Sequence, residues 1–203
     1  MAAAEYYSGC NFVGSTMENP AVIVIDMLND FVHGSLRCDR AERIVPAIGR
    51  LVASARERGV PVIYSNDAHY PHDPEVVNRW GQHAIKGTKG AEVIPELAPS
   101  KGDFIVEKRA YSGFFETGLD PLLRSLYGGK GVKTVVLCGL HTHMCVRHTA
   151  ADAFFRGYRI VVAKDAVEAF TEEDHVSGLK YLTDAYNAEL KTVSEIVSSW
   201  GTP

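Results

Sequence analysis

The sequence lacks a long hydrophobic run, since no apolar stretch reaches the roughly 18 to 20 residues that a membrane-spanning helix needs. Residues 1–20 also lack the basic and apolar segments of a secretory signal peptide. Lysine and arginine are not clustered, and the net charge of -4 offers no basic face to a nucleic acid or an anionic membrane. We therefore expect a cytoplasmic protein that binds neither nucleic acids nor membranes.

Cysteine is scarce, and the four cysteines (Cys10, Cys38, Cys138 and Cys145) form no CxxC pair. A chain of 203 residues, 46% of them hydrophobic, can build a core without disulfide bonds. The sequence also lacks internal repeats, low-complexity stretches and Ser/Gly linkers. We expect one domain over residues 20–203, preceded by a peripheral arm over residues 1–19.

Short apolar runs rich in valine and isoleucine alternate with segments that have helical spacing. The predicted strands are residues 21–27, 61–65, 104–107, 133–140 and 159–163, with 190–197 as a sixth candidate. The predicted helices are residues 41–58, 118–127, 145–156 and 172–186. This alternation predicts an α/β fold of three α-β-α layers, with a mostly parallel sheet of five or six strands and helices on both faces.

Polar residues follow four of these runs at the point where each run ends. They are Asp26, the pair Asn66 and Asp67, Lys108, and the segment that begins at His141. Ligands of open parallel sheets bind beyond the carboxyl ends of the strands. These polar side chains are therefore expected to converge on one cleft.

Cys145 follows the last of these four runs and opens a predicted helix. The N-terminus of a helix stabilises a thiolate, so we expect the pKa of Cys145 to lie below the free value of about 8.5. Asp26 can accept the thiol proton and return it to a leaving amine, and Lys108 can hold that carboxylate. Taken singly, each residue has an ordinary alternative: Cys145 can be a buried structural cysteine, Asp26 a helix cap and Lys108 a surface residue. Their joint placement at strand ends favours nucleophilic catalysis.

A second cluster lies in the long irregular segment over residues 66–99. Asp67 and His69 are two residues apart and point the same way on an extended backbone, and His72 and His83 follow. Carboxylate and imidazole ligands suit zinc, iron or manganese. Solvent-exposed loop histidines are the alternative.

Five motifs carry a resemblance to a known superfamily. They are IDMLNDF at residues 25–31, NDAHY at 66–70, WGQHAIKGTKGAEV at 80–93, EKRAYSGFF at 107–115 and CGLHTHMCVRHTAADAF at 138–154. In this order and spacing, the chain resembles the isochorismatase-like cysteine hydrolases, which include nicotinamidases, isochorismatases, N-carbamoylsarcosine amidases and ureide hydrolases. The resemblance covers roughly residues 20–166.

The resemblance implies an Asp-Lys-Cys triad formed by Asp26, Lys108 and Cys145, with a thioester intermediate. It also implies a cis peptide bond at Leu140-His141 and an oxyanion hole formed by the backbone N–H groups of His141 and Cys145. One departure is the pair Thr142-His143, where many relatives have Thr-Asp. The chemistry near the nucleophile is therefore expected to differ in detail.

The loop pattern is similar to that of metal-containing nicotinamidases, which implies a divalent metal on Asp67, His69 and His83. Zinc is the first choice, iron or manganese are alternatives, and no organic cofactor is expected. Phe31 and Trp80 lie where nicotinamidases hold the pyridine ring, although ordinary packing is the alternative for both.

The implied reaction is hydrolysis of a small amide, with nicotinamide converted to nicotinic acid as the leading choice. A second hypothesis is an N-carbamoylsarcosine amidase or another ureide hydrolase that uses the same triad. A third is a degenerate member that only binds or assembles, and the intact triad argues against it. Relatives are commonly dimers or tetramers, so we expect a homo-oligomer.

Overall fold

A computed structural model describes residues 17–200 of the chain. Most of the predicted N-terminal arm, residues 1–19, therefore lies outside the described residues. Six strands form one sheet in the order β3-β2-β1-β4-β5-β6, and every neighbouring pair is parallel. The strands are β1 (Pro20–Ile25), β2 (Val62–Asp67), β3 (Phe104–Lys108), β4 (Thr134–Leu140), β5 (Arg159–Glu168) and β6 (Glu189–Lys191).

Helices cover both faces of this sheet, which confirms the predicted three-layer α/β fold. They are α1 (Asn29–Val32), α2 (Val45–Glu57), α3 (Leu119–Ser125), α4 (Arg147–Phe155), α5 (Glu172–Tyr186) and α6 (Val193–Ser199). Buried residues of α2 and α6 belong to the apolar core on one face, and buried residues of α3, α4 and α5 belong to the core on the other. All residues of β1 and β4 are buried, as their continuous apolar runs predict.

The ends of several elements differ from their predicted positions. The candidate sixth strand, residues 190–197, is the short β6 followed by α6. The change to helix occurs at a capping box in which Thr192 accepts a hydrogen bond from the Glu195 amide at 3.2 Å, while the Glu195 carboxylate accepts one from the Thr192 amide at 2.7 Å. The predicted helix 41–58 begins as a short 3-10 turn, Ala41–Ile44, before α2.

The long segment between β2 and β3 is largely irregular, as predicted, but it contains short helical turns at Val76–Trp80, Lys89–Ala91 and Pro95–Leu97. Within residues 17–200, no helix is both long and apolar enough to cross a bilayer.

Candidate active site

The carboxyl ends of the central strands bring the predicted catalytic residues together. Asp26 follows β1, Asp67 ends β2, Lys108 ends β3, and Cys145 lies in the turn after β4. The chain runs outward from β1 to β3 on one side of the sheet and from β4 to β6 on the other. Asp26 and Cys145 therefore flank the point where the winding direction reverses, which is where open α/β sheets bind their ligands.

Lys108 forms ion pairs with two carboxylates in the interior. Its Nζ lies 2.8 Å from Asp26 Oδ2 and also pairs with Asp67 Oδ1. The two aspartates are linked directly as well, because the backbone N–H of Asp67 donates to Asp26 Oδ1 at 2.7 Å. All three side chains are at most 3% exposed. One buried ammonium thus faces two buried carboxylates.

The sharing of one ammonium separates the pKa values of the two acids. Burial and the charge of Asp67 raise the pKa of Asp26 to about 6, against the opposing effect of Lys108. Burial also acts to raise the pKa of Asp67, but Lys108 and His69 outweigh it and lower that pKa to about 2. Burial would lower the pKa of Lys108, but the two carboxylates hold it well above its usual value. Asp26 is therefore the member that can exchange a proton near neutral pH.

Cys145 lies beside this cluster, with ligand atoms of Asp26, Asp67 and Cys145 all within 4.8 Å of one another. The expectation of a lowered pKa is wrong for the resting site. Burial raises the pKa of the Cys145 thiol well above its usual value, the two aspartates add to the rise, and only Lys108 opposes it. The thiol therefore rests protonated, and its activation requires a base.

The start of the helix predicted over residues 145–156 also differs in the structure. Cys145 is the fourth residue of a π-helical turn, Thr142–Val146, and the regular helix α4 begins only at Arg147. The His141 carbonyl closes this turn by accepting hydrogen bonds from the amides of Met144 at 2.9 Å and Val146 at 3.2 Å. The bond between Leu140 and His141 is cis, as the resemblance implies.

Gly139 lets β4 approach β1 immediately before this turn. Its φ of +104° lies outside the range that other residues favour, and a Cβ atom there would come within 2.0 Å of the Ile25 carbonyl oxygen. A glycine at this position keeps β4 close to the strand that carries Asp26.

The predicted metal ligands also lie together. Asp67, His69 and His83 are buried, and each offers a ligand atom within 4.8 Å of the others. His83 Nδ1 lies 2.8 Å from the Gly81 carbonyl, which can only accept, so Nδ1 carries the proton and Nε2 keeps a free electron pair. The two buried ring nitrogens of His69 lie near carboxylates without a well-formed hydrogen bond, with Nε2 3.5 Å from Asp67 Oδ2 and Nδ1 3.4 Å from Asp73 Oδ2. This donor set fits a divalent cation.

A narrow cleft opens onto Cys145, and the two predicted aromatic residues line it. Phe31, in α1, is buried and its ring centroid is 5.7 Å from that of His83. Trp80 is half-buried, and its Nε1 donates to the Tyr111 hydroxyl at 3.0 Å. The cleft therefore joins aromatic surfaces, two of the candidate metal ligands (Asp67 and His83) and the thiol.

Comparison with models of known protein families gives a match in which the isochorismatase domain covers residues 20–195. The chain belongs to the isochorismatase family. The named relatives include an N-carbamoylsarcosine amidase, a nicotinamidase and a ureidoacrylate amidohydrolase, and this protein is a hydrolase of the same amide-hydrolysing family.

Three solved structures are similar to this isochorismatase-family hydrolase and carry names that indicate different substrates. The N-carbamoylsarcosine amidase of Thermoplasma acidophilum is 47% identical, with 87% of this chain and 98% of that chain covered and a TM-score of 0.81. Nicotinamidase PncA of Bacillus subtilis is 33% identical, with 85% and 99% covered and a TM-score of 0.79. The pyrazinamidase of Pyrococcus horikoshii in complex with zinc is 29% identical, with 86% and 99% covered and a TM-score of 0.78.

Sequence reasoning missed several residues that line the cleft of this family member: Glu75, Tyr111, Met144 and Phe170. Phe170 lies just beyond the carboxyl end of β5, so the strand-end rule that found Asp26 could have found it. Glu75 lies in the irregular segment and had no such signal. Burial and the charge of Asp67 raise the pKa of Glu75 to about 7.

Proposed function

We propose that this protein hydrolyses nicotinamide to nicotinic acid and ammonia, through a thioester on Cys145. The observation that carries the proposal is the position of Cys145, which has Asp26 and Lys108 on one side and, on the other, an aromatic cleft lined by two of the candidate metal ligands, Asp67 and His83. A flat aromatic amide suits such a cleft, because its ring can lie against Phe31 and Trp80 while its carboxamide reaches the thiol.

The acylation half of the reaction follows from the proton positions of the resting site. Asp26, as a carboxylate, takes the Sγ proton, and Sγ attacks the carboxamide carbon. The backbone N–H groups of His141 and Cys145 stabilise the oxyanion of the tetrahedral intermediate. Asp26 then gives its proton to the nitrogen as the C–N bond breaks, which leaves ammonia and a thioester. Lys108 stays charged throughout and holds Asp26 in place.

Deacylation uses the same carboxylate. Asp26 takes a proton from water, whose oxygen attacks the thioester carbonyl. The intermediate collapses with cleavage of the C–S bond, and the proton on Asp26 returns to the sulfur. The products are the carboxylic acid and the resting thiol.

We also propose that Asp67, His69 and His83 hold a divalent metal. Zinc is the first choice, supported by the mixed oxygen and nitrogen donors and by the zinc complex of the Pyrococcus horikoshii relative, with iron or manganese as alternatives. When bound, such a metal supplies a Lewis acid that can coordinate a pyridine nitrogen.

A carbamoyl-amide hydrolase is the second candidate, favoured by the 47% identity to the N-carbamoylsarcosine amidase. That substrate carries a carboxylate, which calls for a cationic partner. Within residues 17–200, the residues that line the cleft include neither arginine nor lysine, and Lys108 behind it already pairs with two aspartates. The lining itself therefore supports the uncharged amide, and the cations that a substrate carboxylate would meet are the proposed metal and Arg79, whose guanidinium carbon lies 4.6 Å from the Trp80 ring centroid.

The test is ammonia release by the purified protein from nicotinamide, N-carbamoylsarcosine and biuret, before and after chelation and metal restoration. Metal-dependent turnover of nicotinamide supports the proposal, whereas release from a carbamoyl compound alone replaces it with the second candidate. Cys145→Ala should abolish turnover and keep the fold, while Cys138→Ala should keep turnover.

Metal analysis tests the ligand set. His69→Ala should lower the bound metal, and His72→Ala is the matched control, because His72 lies in the same loop outside the cluster. Unchanged metal content in His69→Ala would remove His69 from the site.

We retain the proposal of a cytoplasmic homo-oligomer, either dimer or tetramer. Phe154 and Phe155 on α4 support self-association, because these large apolar residues are 46% and 74% exposed and exposed apolar patches are typical of protein interfaces. Light scattering on the purified protein measures the number of subunits.

A further inference from the structure

The imidazole of His141 has no part in the proposed acyl transfer, which uses only the backbone N–H of that residue. The side chain is 2% exposed and lines the cleft together with Cys145. It lies outside the cluster of Asp67, His69 and His83. A polar ring thus lies beside the nucleophile with no task assigned to it.

Two aromatic rings fix the orientation of this imidazole. The Phe170 ring stacks on it, with centroids 4.1 Å apart and an interplanar angle of 26°. The Phe31 ring meets it edge to face at 5.6 Å and 88°. The His141 carbonyl is also held, because it closes the turn that carries Cys145. A ring held in this way loses little conformational freedom when a ligand contacts it.

One nitrogen of this ring lacks a partner. Nε2 is buried, and no atom of residues 17–200 forms a hydrogen bond with it. Burial, with a contribution from His143, lowers the pKa of His141 to about 3, so the ring is neutral under ordinary conditions. A neutral imidazole nitrogen can donate or accept one hydrogen bond, and leaving it unpaired in the interior is unfavourable. A group that enters the cleft can remove that cost.

We propose that the His141 imidazole binds the substrate directly, with Nε2 forming a hydrogen bond to a polar atom of a flat amide held in the cleft. The proposal rests on the function proposed above and adds a residue that sets substrate affinity. Because the ring is neutral and held by aromatic contacts, its role is recognition, and it exchanges no proton with the substrate.

Two substitutions separate the hydrogen bond from the packing. His141→Phe keeps an aromatic ring against Phe170 but removes the nitrogen, so we expect KM to rise roughly tenfold with kcat within about twofold. In His141→Gln, the side-chain amide reaches about as far as Nε2, so it should recover most of the lost affinity. His72→Phe makes the same exchange at an exposed position and should leave both constants unchanged.

The pH dependence of kcat/KM gives a second measurement. His141→Gln should leave it unchanged, because a neutral binding group adds no ionisation. An unchanged KM in a folded His141→Phe protein would overturn the proposal. So would the loss of one limb of the pH profile in His141→Gln, or an equal fall of kcat in both variants, which would indicate a role in positioning the turn. Thermal denaturation establishes that each variant is folded.

The same measurements distinguish this proposal from the proposed function. If nicotinamide is turned over and KM does not respond to His141→Phe, only the role of His141 fails. If the protein hydrolyses N-carbamoylsarcosine instead, nicotinamide is rejected as the substrate, and the KM for the carbamoyl compound decides the role of His141. If neither amide is hydrolysed, both proposals fail.

Discussion

At the scale of single residues, the central feature is the ratio of charges around Lys108. One ammonium balances two carboxylates in a region that water does not reach. The cost of holding two buried charges raises the pKa of Asp26 to about 6, so near neutral pH Asp26 is a carboxylate with a stronger affinity for a proton than an ordinary aspartate. The electrostatics of the fold thus prepare Asp26 to act as the base.

Lys108→Met removes that balance and should abolish turnover. It should also lower the free energy of unfolding by roughly 3 to 5 kcal/mol, because it leaves two adjacent buried carboxylates without a cation. Lys86→Met is the matched control: Lys86 pairs with Glu107, both side chains are about half exposed, and solvent screens their charges, so the free energy of unfolding should change little. Denaturant unfolding measures both losses. Equal losses in the two variants would contradict the assigned role of the buried ion pairs.

The raised pKa of Asp26 predicts an acid limb in the activity profile. The reaction needs the carboxylate, so turnover should fall as the pH falls through about 6. A pH profile of kcat/KM on nicotinamide, fitted to one ionisation on its acid side, measures this limb, because kcat/KM reports ionisations of the free enzyme. A limb near the ordinary aspartate value of about 3.9 would indicate that burial does not control this acid.

The raised pKa of Asp26 affects stability in the opposite direction: activity increases as the pH rises, whereas the stability of the fold decreases. A raised pKa in the folded state means that folding favours the protonated acid, so this contribution is complete below about pH 3.9 and is lost as the pH rises through about 6. Asp26→Asn imitates the protonated acid. At pH 8 it should therefore be inactive yet have an unchanged or higher unfolding midpoint. A clearly lower midpoint would contradict this interpretation.

At the scale of elements, the approach of β4 to β1 depends on one position. Gly139→Ala should reduce folded protein and activity together, because the new methyl group would meet the Ile25 carbonyl at 2.0 Å. Gly49→Ala in α2 is the control, since its nearest contact is at 3.9 Å, and it should raise stability by up to about 1 kcal/mol. Thermal unfolding of both variants makes the comparison. A stable, active Gly139→Ala protein would show that the strands can separate without loss.

The strands were predictable because β1 and β4 are buried on both faces and therefore read as continuous apolar runs. The polar residues beyond the ends of β1 and β4 located Asp26 and Cys145 for the same reason, whereas Lys108 ends β3, an edge strand that is partly exposed. The π-helical turn at Thr142–Val146 was not predictable, since its five residues have no period of their own. The raised pKa of Cys145 was missed because it depends on burial beside two carboxylates, and residue types alone do not reveal burial.

At the scale of the whole molecule, metal binding should be coupled to stability. A ligand that binds only the folded state stabilises it by about 2.7 kcal/mol at a hundred times its dissociation constant. Zinc should therefore raise the unfolding midpoint of the chelated protein, and His83→Ala should remove most of that rise. His72→Ala should keep it. A rise of the same size in His83→Ala would exclude His83 from the ligand set.

The parallel sheet also determines when activity can first appear during folding. Asp26 and Asp67 are 41 residues apart in the sequence, Asp67 and Lys108 are another 41 apart, and Cys145 follows later still. No local segment contains the site, so β1 to β4 must all pair before the first substrate molecule can react. The rate at which activity recovers after dilution from denaturant therefore reports the slow, long-range steps of folding. Partly folded chains should have no hydrolase activity.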